Sequence, residues 1–337
     1  MNKSIKGLGL QFAKPSVKLT DKDLAEIKAI VASGWFCEGK YVEEFEDYFK
    51  KTYNVKYAIS CSSATQGLII TLKAANISHT TVALPAFTWP STLYAIECNG
   101  CEPFWIDIDI NTWNITDAPE FVTFESKTLR PQRIIGKEIT AILPVDIFGN
   151  RAYIKDDRPV IYDAAHSFGV SGLGKRGIAE VVSFSFTKPV TSMQGGVILT
   201  DDDDIYYAAW EFRRLTAKMC EINALIGLKE IARHEEKLFE RKRLIDLYRY
   251  YIDVPYTEQV IEIDSNYSTY SLLFEKEKRD RIADAFRKNN IEVKIYYDPL
   301  VSGLQNTDYI YNHIISLPLH AEVEDVIVDI CKIINEA

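Results

Sequence analysis

The sequence predicts an α/β fold with a mostly parallel sheet of about seven strands, followed by a small C-terminal α/β domain. Short apolar runs alternate with helical patterns through the first half of the chain, which is typical of a parallel sheet flanked by helices. With 337 residues and 47% hydrophobic content, the chain can bury a large core and a second, smaller one. We therefore expect a large domain over residues 1–240 and a small domain over residues 241–337.

The elements of the large domain follow from apolar spacing and capping residues. Thr20 and Asp23 form a capping pattern, and the helical spacing after them ends at Gly34. A second helix is predicted over residues 42–52. Strands are then expected at 57–60, 82–84, 103–106, 141–145, 160–162, 181–184 and 197–199, with helices at 65–75 and 91–99.

A long, charged helical region over residues 205–251 is predicted to carry the chain out of the large domain. The pattern then changes to shorter elements. We expect a strand at 268–274, a helix at 276–288, a strand at 292–296 and a last helix at 323–335. These elements make up the small α/β domain.

The charge balance points to small-molecule partners. The chain has 48 acidic and 39 basic side chains, and its net charge of -9 would repel nucleic acid and anionic membranes. No stretch reaches the ~18 apolar residues of a membrane span, and the first residues lack the apolar core of a signal peptide. We expect a cytoplasmic protein with no nucleic-acid or membrane partner.

The cysteines favour a reducing compartment because they are scattered along the chain rather than densely spaced. Cys98 and Cys101 form a lone C-x-x-C motif without a second pair or nearby histidines. Two half-buried thiols at a helix-to-strand turn are a better interpretation than zinc ligands. We predict no metal site. The cysteines are Cys37, Cys61, Cys98, Cys101, Cys220 and Cys331.

Lys188 is the first candidate for chemistry. It follows the predicted strand 181–184, and ligands bind at the carboxyl edge of open α/β sheets. A desolvated lysine amine has a lowered pKa and forms imines with carbonyl compounds, as an aldehyde cofactor requires. Taken alone this signal is weak, because most lysines at strand ends are solvated surface charges.

A second candidate segment follows the strand at 160–162. Asp163 ends an apolar run, and a carboxylate there can pair with the pyridinium nitrogen of pyridoxal phosphate. His166 comes three residues later. It is either a contact to the cofactor ring or phenolic oxygen, or a hydrogen-bonded structural histidine.

Two further segments offer a phosphate site and a flat aromatic face. Ala64 and Thr65 stand between a strand and a helix, where free N–H groups and the Thr65 hydroxyl can bind phosphate. An ordinary helix N-cap is the alternative. Trp89 follows the next strand and offers an apolar face on which a cofactor ring can stack.

In this order and spacing, the four segments resemble the DegT/DnrJ family of nucleotide-sugar aminotransferases, which depend on pyridoxal phosphate. The likeness extends from S-G-W-F-C-E-G at 33–39, through E-E-F-E at 43–46, to L-P-L-H at 317–320, and so covers nearly the whole chain. The resemblance implies the aspartate aminotransferase type of fold, which is fold type I of the pyridoxal-phosphate-dependent enzymes.

The resemblance also implies roles for individual residues. Lys188 is similar to the lysine that holds the cofactor as a Schiff base, and Asp163 to its pyridinium partner. His166 falls where the family contacts the cofactor with glutamine or histidine, and Trp89 matches the aromatic residue that stacks on the ring. The phosphate contacts that match are Ala64, Thr65 and Ser183.

The family resemblance implies partners as well. Family members transfer an amino group from L-glutamate to a nucleotide-linked keto-sugar, in the biosynthesis of cell-surface polysaccharides and related sugars. They are homodimers whose active sites take residues from both subunits. Lys218 stands where the family places a cross-subunit contact, and we expect it to meet a phosphate or carboxylate in the cofactor site.

The chain departs from the family pattern at three places. Gln194 precedes the paired glycines where the family usually has glutamate. Val-Asp-Ile-Phe-Gly at 145–149 replaces the family's valine-histidine-leucine-tyrosine-glycine. The family's loop that helps to hold substrate is missing between Leu215 and Met219, so the resemblance does not identify the acceptor.

Two alternatives stay open. One is a pyridoxal-phosphate-dependent sugar dehydratase, although the family's dehydratases have histidine where this chain has Lys188. The other is a non-catalytic regulator that binds pyridoxal phosphate. Formation of the amine form of the cofactor with an amino donor would distinguish an aminotransferase from such a regulator.

Overall fold

The computed structural model describes residues 9–14, 17–116 and 138–337. The chain begins with two helices, α1 (Asp21–Ser33) and α2 (Lys40–Tyr53). Thr20 and Asp23 form the predicted capping box at the start of α1, and Gly34 ends the helix with a φ of 70°. The strong capping signal explains why the bounds of this helix could be predicted closely.

Strands and helices then alternate up to residue 216. The strands are β1 (Tyr57–Cys61), β2 (Thr81–Pro85), β3 (Glu102–Ile106), β4 (Ile139–Ile142), β5 (Ile161–Asp163), β6 (Ala179–Ser183) and β7 (Gly196–Thr200). The helices are α3 (Ala64–Ala74), α4 (Pro90–Cys98) and α5 (Asp203–Thr216). The seven predicted strands are therefore present at the expected places.

The seven strands form two hydrogen-bonded sheets. Strands β3, β2 and β4 make a three-stranded parallel sheet, whereas β1, β7, β6 and β5 make a four-stranded mixed sheet in which β7 is antiparallel to both neighbours. Isolated parallel bridges at Ile142–Val160 and Val145–Asp163 connect the two sheets. The predicted α/β class is confirmed, but the parallel arrangement is uniform only in the smaller sheet.

Helices cover both faces of the four-stranded sheet. Successive side chains of each strand point to opposite faces, so each strand contributes to two cores. Ile198 packs in a core shared with α3, α4 and α5. Its neighbours Val197 and Leu199 pack in a second core with α2 and with α6 (Glu221–Ile231). This double cover explains why the strands read as nearly continuous apolar runs.

The region after α6 has its own core. It contains α7 (His234–Tyr251), β8 (Thr257–Glu258), β9 (Tyr270–Leu273), α8 (Lys276–Lys288), α9 (Gln305–His313), β10 (Ile314–Leu317) and α10 (Ile327–Glu336). Strands β10, β9 and β8 form an antiparallel sheet. The boundary predicted at residue 240 stays a prediction, and it falls inside α7.

Several predicted elements of the second half were wrong in detail. The long helical region 205–251 consists of α5, α6 and α7. The predicted strand 292–296 is only an isolated bridge from Lys294 to Ser316, because β10 takes the place beside β9. The sequence analysis missed α9 and β10. The helix predicted over 323–335 begins later, at Ile327, after a short 3-10 helix.

Cys98 and Cys101 lie at the predicted turn between α4 and β3, but they are not alike. Cys98 is exposed and Cys101 is buried. Among the described residues, the structure contains no group of three or more histidine, cysteine, aspartate or glutamate side chains placed to hold a metal ion. Nor does any helix in the described ranges have the length and apolar character needed to cross a membrane.

Four buried charged side chains link the two sheets. Arg176 donates from both terminal nitrogens to the two oxygens of Asp146, at 2.9 and 2.6 Å, and also pairs with Glu180 at 2.6 Å. Arg151 contacts both oxygens of Glu180 at 3.3 Å. Asp146 follows β4 in one sheet and Glu180 lies on β6 in the other. The two positive and two negative charges balance one another.

Replacement of Arg176 with methionine should destabilise the fold strongly, because the carboxylate of Asp146 would stay buried without its cation. We expect the free energy of unfolding to fall by about 3–5 kcal/mol, measured by chemical denaturation. Arg287→Met is the matched control, since Arg287 forms an exposed pair with Asp284, and should change stability by less than about 1 kcal/mol. Equal effects of the two variants would contradict the prediction.

Candidate active site

A cavity of about 710 Å³ opens at the edge where several strands end. The turns after β1, β2, β4, β5 and β6 all contribute to its lining, as expected for the carboxyl edge of an α/β sheet. Seven of the eight predicted site residues line it. They are Ala64, Thr65, Trp89, Asp163, His166, Ser183 and Lys188.

Lys188 lies in a tight turn after β6. Its backbone N–H donates to the carbonyl of Ser185 at 3.0 Å, and the turn returns to β7. Desolvation lowers the pKa of its amine to about 8, and the negative charge of Asp163 opposes part of this shift. A larger fraction of this amine is therefore neutral near neutral pH than in a solvated lysine, and the neutral form is nucleophilic.

Asp163 ends β5 and is 4% exposed. Its carboxylate accepts a 2.7 Å hydrogen bond from the Thr92 hydroxyl and a 3.2 Å bond from the Ala165 N–H. Burial raises the pKa of Asp163, while these hydrogen bonds and the charge of Lys188 act in the opposite direction. The carboxylate is therefore held in a fixed position and favours a cationic partner.

His166 lies three residues beyond Asp163, with its ring stacked on Phe148 at 6.1 Å between centroids. Its Nδ1 atom is buried and makes no hydrogen bond to any described residue. Desolvation lowers the pKa of His166 well below its usual value, and the positive charges of Lys188 and Arg241 add to the effect. The neutral ring thus presents an unsatisfied nitrogen in a residue that lines the cavity.

The start of α3 forms a cradle beside β7. Ser63 caps the helix by accepting from the Gln66 N–H, so the first N–H groups, at Ala64 and Thr65, have no intrahelical acceptor. Gly196 permits this close approach, because a Cβ there would lie 2.6 Å from the Ala64 nitrogen. With Ser183 at the end of β6, these groups can bind an anion such as phosphate.

Aromatic side chains line another part of the cavity. Trp89 is 57% exposed and contacts Tyr296 and Tyr297 edge-on, with centroids 6.4 Å apart in both cases. Tyr297 is buried and also packs against Phe87 and Phe148. Trp89 therefore has an exposed apolar surface on which a ring can stack.

Lys218 is the predicted site residue that does not line this cavity. Its amine pairs with the carboxylate of Glu38 at 2.6 Å. Glu38 also accepts a 2.9 Å hydrogen bond from Arg213. The anion that Lys218 meets within its own chain is thus a protein carboxylate, and its cross-subunit role stays a prediction.

The structure adds site residues that the sequence analysis missed. Thr92 holds Asp163 from the first turn of α4, and its position three residues after Trp89 could have suggested this. Arg241 lines the cavity from α7 and donates to the carbonyls of Tyr267, Ser268 and Leu319. Among many charges on α7, no local signal distinguished Arg241.

Arg241 has an unusual electrostatic environment. Desolvation lowers the pKa of its guanidinium to about 9. Its hydrogen bonds in the described residues go to neutral carbonyl oxygens, and it belongs to none of the ion pairs found there. This half-buried cation therefore has no carboxylate partner within the described parts of the chain, and a negatively charged ligand would supply one.

Taken together, the fold and the cavity define an α/β enzyme with a desolvated lysine amine, a buried carboxylate and an anion cradle. The sequence profile described as the DegT/DnrJ/EryC1/StrS aminotransferase family matches residues 17–335. The chain belongs to this aminotransferase family, as predicted.

Solved structures share the fold at low sequence identity. The structure of DesI in the presence of its TDP-sugar product is 21% identical with a TM-score of 0.81, and the match covers 97% of this chain and 92% of that one. A family member from Brucella abortus is 24% identical with a TM-score of 0.77, covering 94% and 95%. The PLP form of the putative sugar aminotransferase Spr1654 from Streptococcus pneumoniae is 18% identical with a TM-score of 0.80, covering 97% and 99%. These similarities confirm the predicted fold type.

Gly196→Ala tests the cradle. The added Cβ would press on the backbone of Ser63 and Ala64, so α3 must shift and its N–H groups lose their alignment. We expect the dissociation constant for pyridoxal phosphate to rise at least roughly tenfold, the equivalent of one charge-assisted hydrogen bond. Equilibrium titration measures the change.

Gly67→Ala is the control for this prediction. Its Cβ would press on the Val181 and Cys61 side chains, and Gly67 is not among the residues that line the cavity. This variant should lower the melting temperature with little effect on binding. If Gly196→Ala bound the cofactor as tightly as the unaltered protein, the cradle assignment would be wrong.

Proposed function

We propose that this protein is a pyridoxal-phosphate-dependent aminotransferase that moves an amino group from L-glutamate to a nucleotide-linked keto-sugar. The observation that carries the proposal is that the Lys188 amine and the Asp163 carboxylate interact electrostatically at one desolvated cavity. Membership of the aminotransferase family supports it.

The residues of the cavity fit the chemical groups of pyridoxal phosphate. An amine suits its aldehyde, a buried carboxylate suits its protonated ring nitrogen, and a helix N-terminus suits its phosphate. Two features fit a bound molecule in particular. A Cβ at Gly196 would fill the space against the start of α3, and the buried Nδ1 of His166 lacks a partner among the described residues.

When bound, pyridoxal phosphate supplies an electron sink for the amino-acid carbon that loses its proton. Lys188 would attach the cofactor through its amine. The amine would then be free, during turnover, to take the proton from that carbon and return it at a different position. Its pKa of about 8 suits both steps, because neutral and protonated forms are both accessible near neutral pH.

Asp163 would hold the ring nitrogen in its protonated form. The Thr92 hydroxyl and the Ala165 N–H keep the carboxylate in place because each donates to a different one of its oxygens. His166, neutral because of its lowered pKa, would contact the ring with Nδ1. Trp89 would stack on the ring, while Ala64, Thr65 and Ser183 would bind the phosphate.

Arg241 is our candidate for binding a carboxylate of the amino donor. It is a cation without an ion-pair partner in the described residues, and it lines the same cavity as Lys188. The planar guanidinium suits a carboxylate. L-Glutamate carries two carboxylates, which is consistent with this arrangement.

The sugar acceptor and the assembly are further parts of the proposal. The similar DesI structure was obtained with a TDP-sugar product, which supports a nucleotide-linked acceptor. We propose a homodimer in which a second subunit covers exposed apolar side chains near the cavity, such as Trp89 and Phe186, and in which Lys218 contacts that subunit. A cytoplasmic role in polysaccharide biosynthesis is proposed on the family resemblance.

Lys188 argues against the dehydratase alternative, because the family's dehydratases have histidine at this position. A regulator that binds the cofactor would still attach it to lysine but would not transfer an amino group. Conversion of bound cofactor to its amine form by L-glutamate therefore separates this alternative from our proposal.

Replacement of Lys188 or Asp163 with alanine should separate attachment of the cofactor from activation of its ring. Lys188→Ala should abolish both the visible absorption band of the lysine-bound cofactor and turnover. Asp163→Ala should keep a visible band but lower kcat by at least roughly a hundredfold, because a ring without its proton is a poor electron sink.

Absorption spectra and transfer of nitrogen from L-glutamate measure both effects. Lys175→Ala is the control, since Lys175 pairs with Asp201 on the surface, and it should change neither. A visible band and near-normal turnover in Lys188→Ala would show that another lysine holds the cofactor.

Replacement of Arg241 with methionine should weaken binding of the amino donor. We expect the KM for L-glutamate to rise by roughly 10- to 100-fold, since a charged hydrogen bond contributes about 1.5–3 kcal/mol. The KM for the sugar should change much less. Arg243→Met is the matched control, because Arg243 lies on the same helix and pairs with Glu324 at the surface. An unchanged KM for L-glutamate with a lowered melting temperature would assign Arg241 a structural role only.

A further inference from the structure

Two cysteines face each other across an isolated antiparallel bridge. Cys37 lies just before α2, and its bridge partner Cys220 is the N-terminal cap of α6. The carbonyl of Phe36 accepts a 2.8 Å hydrogen bond from the Glu221 N–H. Because this bond joins the residues that flank the cysteines, Cys37 and Cys220 form a non-hydrogen-bonded pair.

That kind of pair has the geometry a disulfide needs. Residues in a non-hydrogen-bonded antiparallel pair have Cα atoms about 4.5 Å apart, and their side chains project from the same face. Disulfides join Cα atoms about 4.4–6.8 Å apart. The two thiols are free and half-buried. In the ranges that the structure describes, no other two cysteines are bridge partners.

Other interactions keep the two segments together in the reduced state. The Glu221 carboxylate accepts hydrogen bonds of 3.0 Å from the N–H groups of Gly39, Tyr41 and Val42 at the start of α2. Glu38 pairs with Lys218 on the neighbouring turn. The pairing of the two segments therefore does not depend on a bond between the sulfurs, and the bridge geometry predicts that little backbone movement is needed to join them.

We propose that Cys37 and Cys220 form an intramolecular disulfide when the protein meets a low-molecular-weight disulfide such as oxidised glutathione. The thiolate of one cysteine attacks the glutathione disulfide, forms a mixed disulfide and releases one glutathione. The second thiolate attacks the protein sulfur of that mixed disulfide and releases the other glutathione. Both cysteine sulfurs are oxidised, the glutathione disulfide is reduced to two thiols, and these take up the two protons.

This modification site is separate from the proposed aminotransferase function. The bond ties the start of α2 to the connection between α5 and α6. Burial raises the pKa of the Cys37 thiol, and the neighbouring Cys220 contributes. The exchange should therefore run faster at alkaline than at neutral pH, since the thiolate is the nucleophile.

The test is peptide mapping of the full chain after incubation with oxidised glutathione and alkylation of the remaining thiols. We expect one cross-linked peptide pair that contains Cys37 and Cys220, and a higher melting temperature that a dithiol reductant reverses. Cys37→Ser and Cys220→Ser should each abolish the cross-link. Cys98→Ser is the control, because Cys98 is exposed and has no bridge partner, and it should keep the cross-link.

Several results would overturn the proposal. Cys37 and Cys220 could both remain alkylated at equilibrium, or either could stop at the glutathione adduct. A cross-link between two chains on a non-reducing gel, or one that joins other cysteines, would also contradict it. The mapping of the unaltered protein decides the question even if a serine variant folds poorly.

Discussion

The buried pairing of Asp146 with Arg176 is the interaction on which the active-site edge depends. Asp146 follows β4, accepts from the Ser167 hydroxyl at 2.6 Å, and donates its backbone N–H to the carbonyl of Asp163 at 3.0 Å. One residue thus contacts both the turn that holds His166 and the strand end that holds Asp163. Such a position is tolerable for a fully buried carboxylate only because Arg176 neutralises it.

The same pairing limits the effect of Asp146 on the site. Asp146 places a negative charge close to Asp163. The charge of Asp146 by itself raises the pKa of Asp163, although burial contributes more. Because Arg176 contacts both Asp146 and Glu180, its guanidinium offsets the negative charge of Asp146. The Asp163 carboxylate can then keep the role that we propose for it.

Local patterns predicted the parts of the fold that local physics determines. The capping box at Thr20 and the apolar strands β1 to β7 carry strong signals within a few residues, so they were located closely. The second half was harder, because β9 pairs with β10 rather than with the 292–296 segment, and pairing partners cannot be read from strand composition. The division of the 205–251 region into three helices was missed for a similar reason, since helix-forming residues continue across the breaks.

The candidate site likewise contains residues that could be predicted from the sequence and residues that could not. Asp163 ends a strand and Lys188 and Thr65 follow strands, so topology brings them to one edge. Arg241 comes from α7, whose buried apolar side chains belong to a different core, and only tertiary packing places it beside them. Lys218 pairs with Glu38 within its own chain, and its contact with a ligand or a second subunit stays a prediction.

Desolvation explains the direction of the pKa shifts of the four titratable groups in the cavity to which we assign roles. Burial lowers the pKa of Lys188, His166 and Arg241 and raises that of Asp163, so each group is pushed toward its neutral form. Desolvation has this effect on acids and bases alike. A ligand that carries both a phosphate and a protonated ring nitrogen would oppose these shifts. Its anion would favour the cations of Lys188 and Arg241, and its ring cation would favour the carboxylate of Asp163. Keeping these groups charged is therefore least favourable before such a ligand binds. Part of the binding free energy comes from removing that penalty.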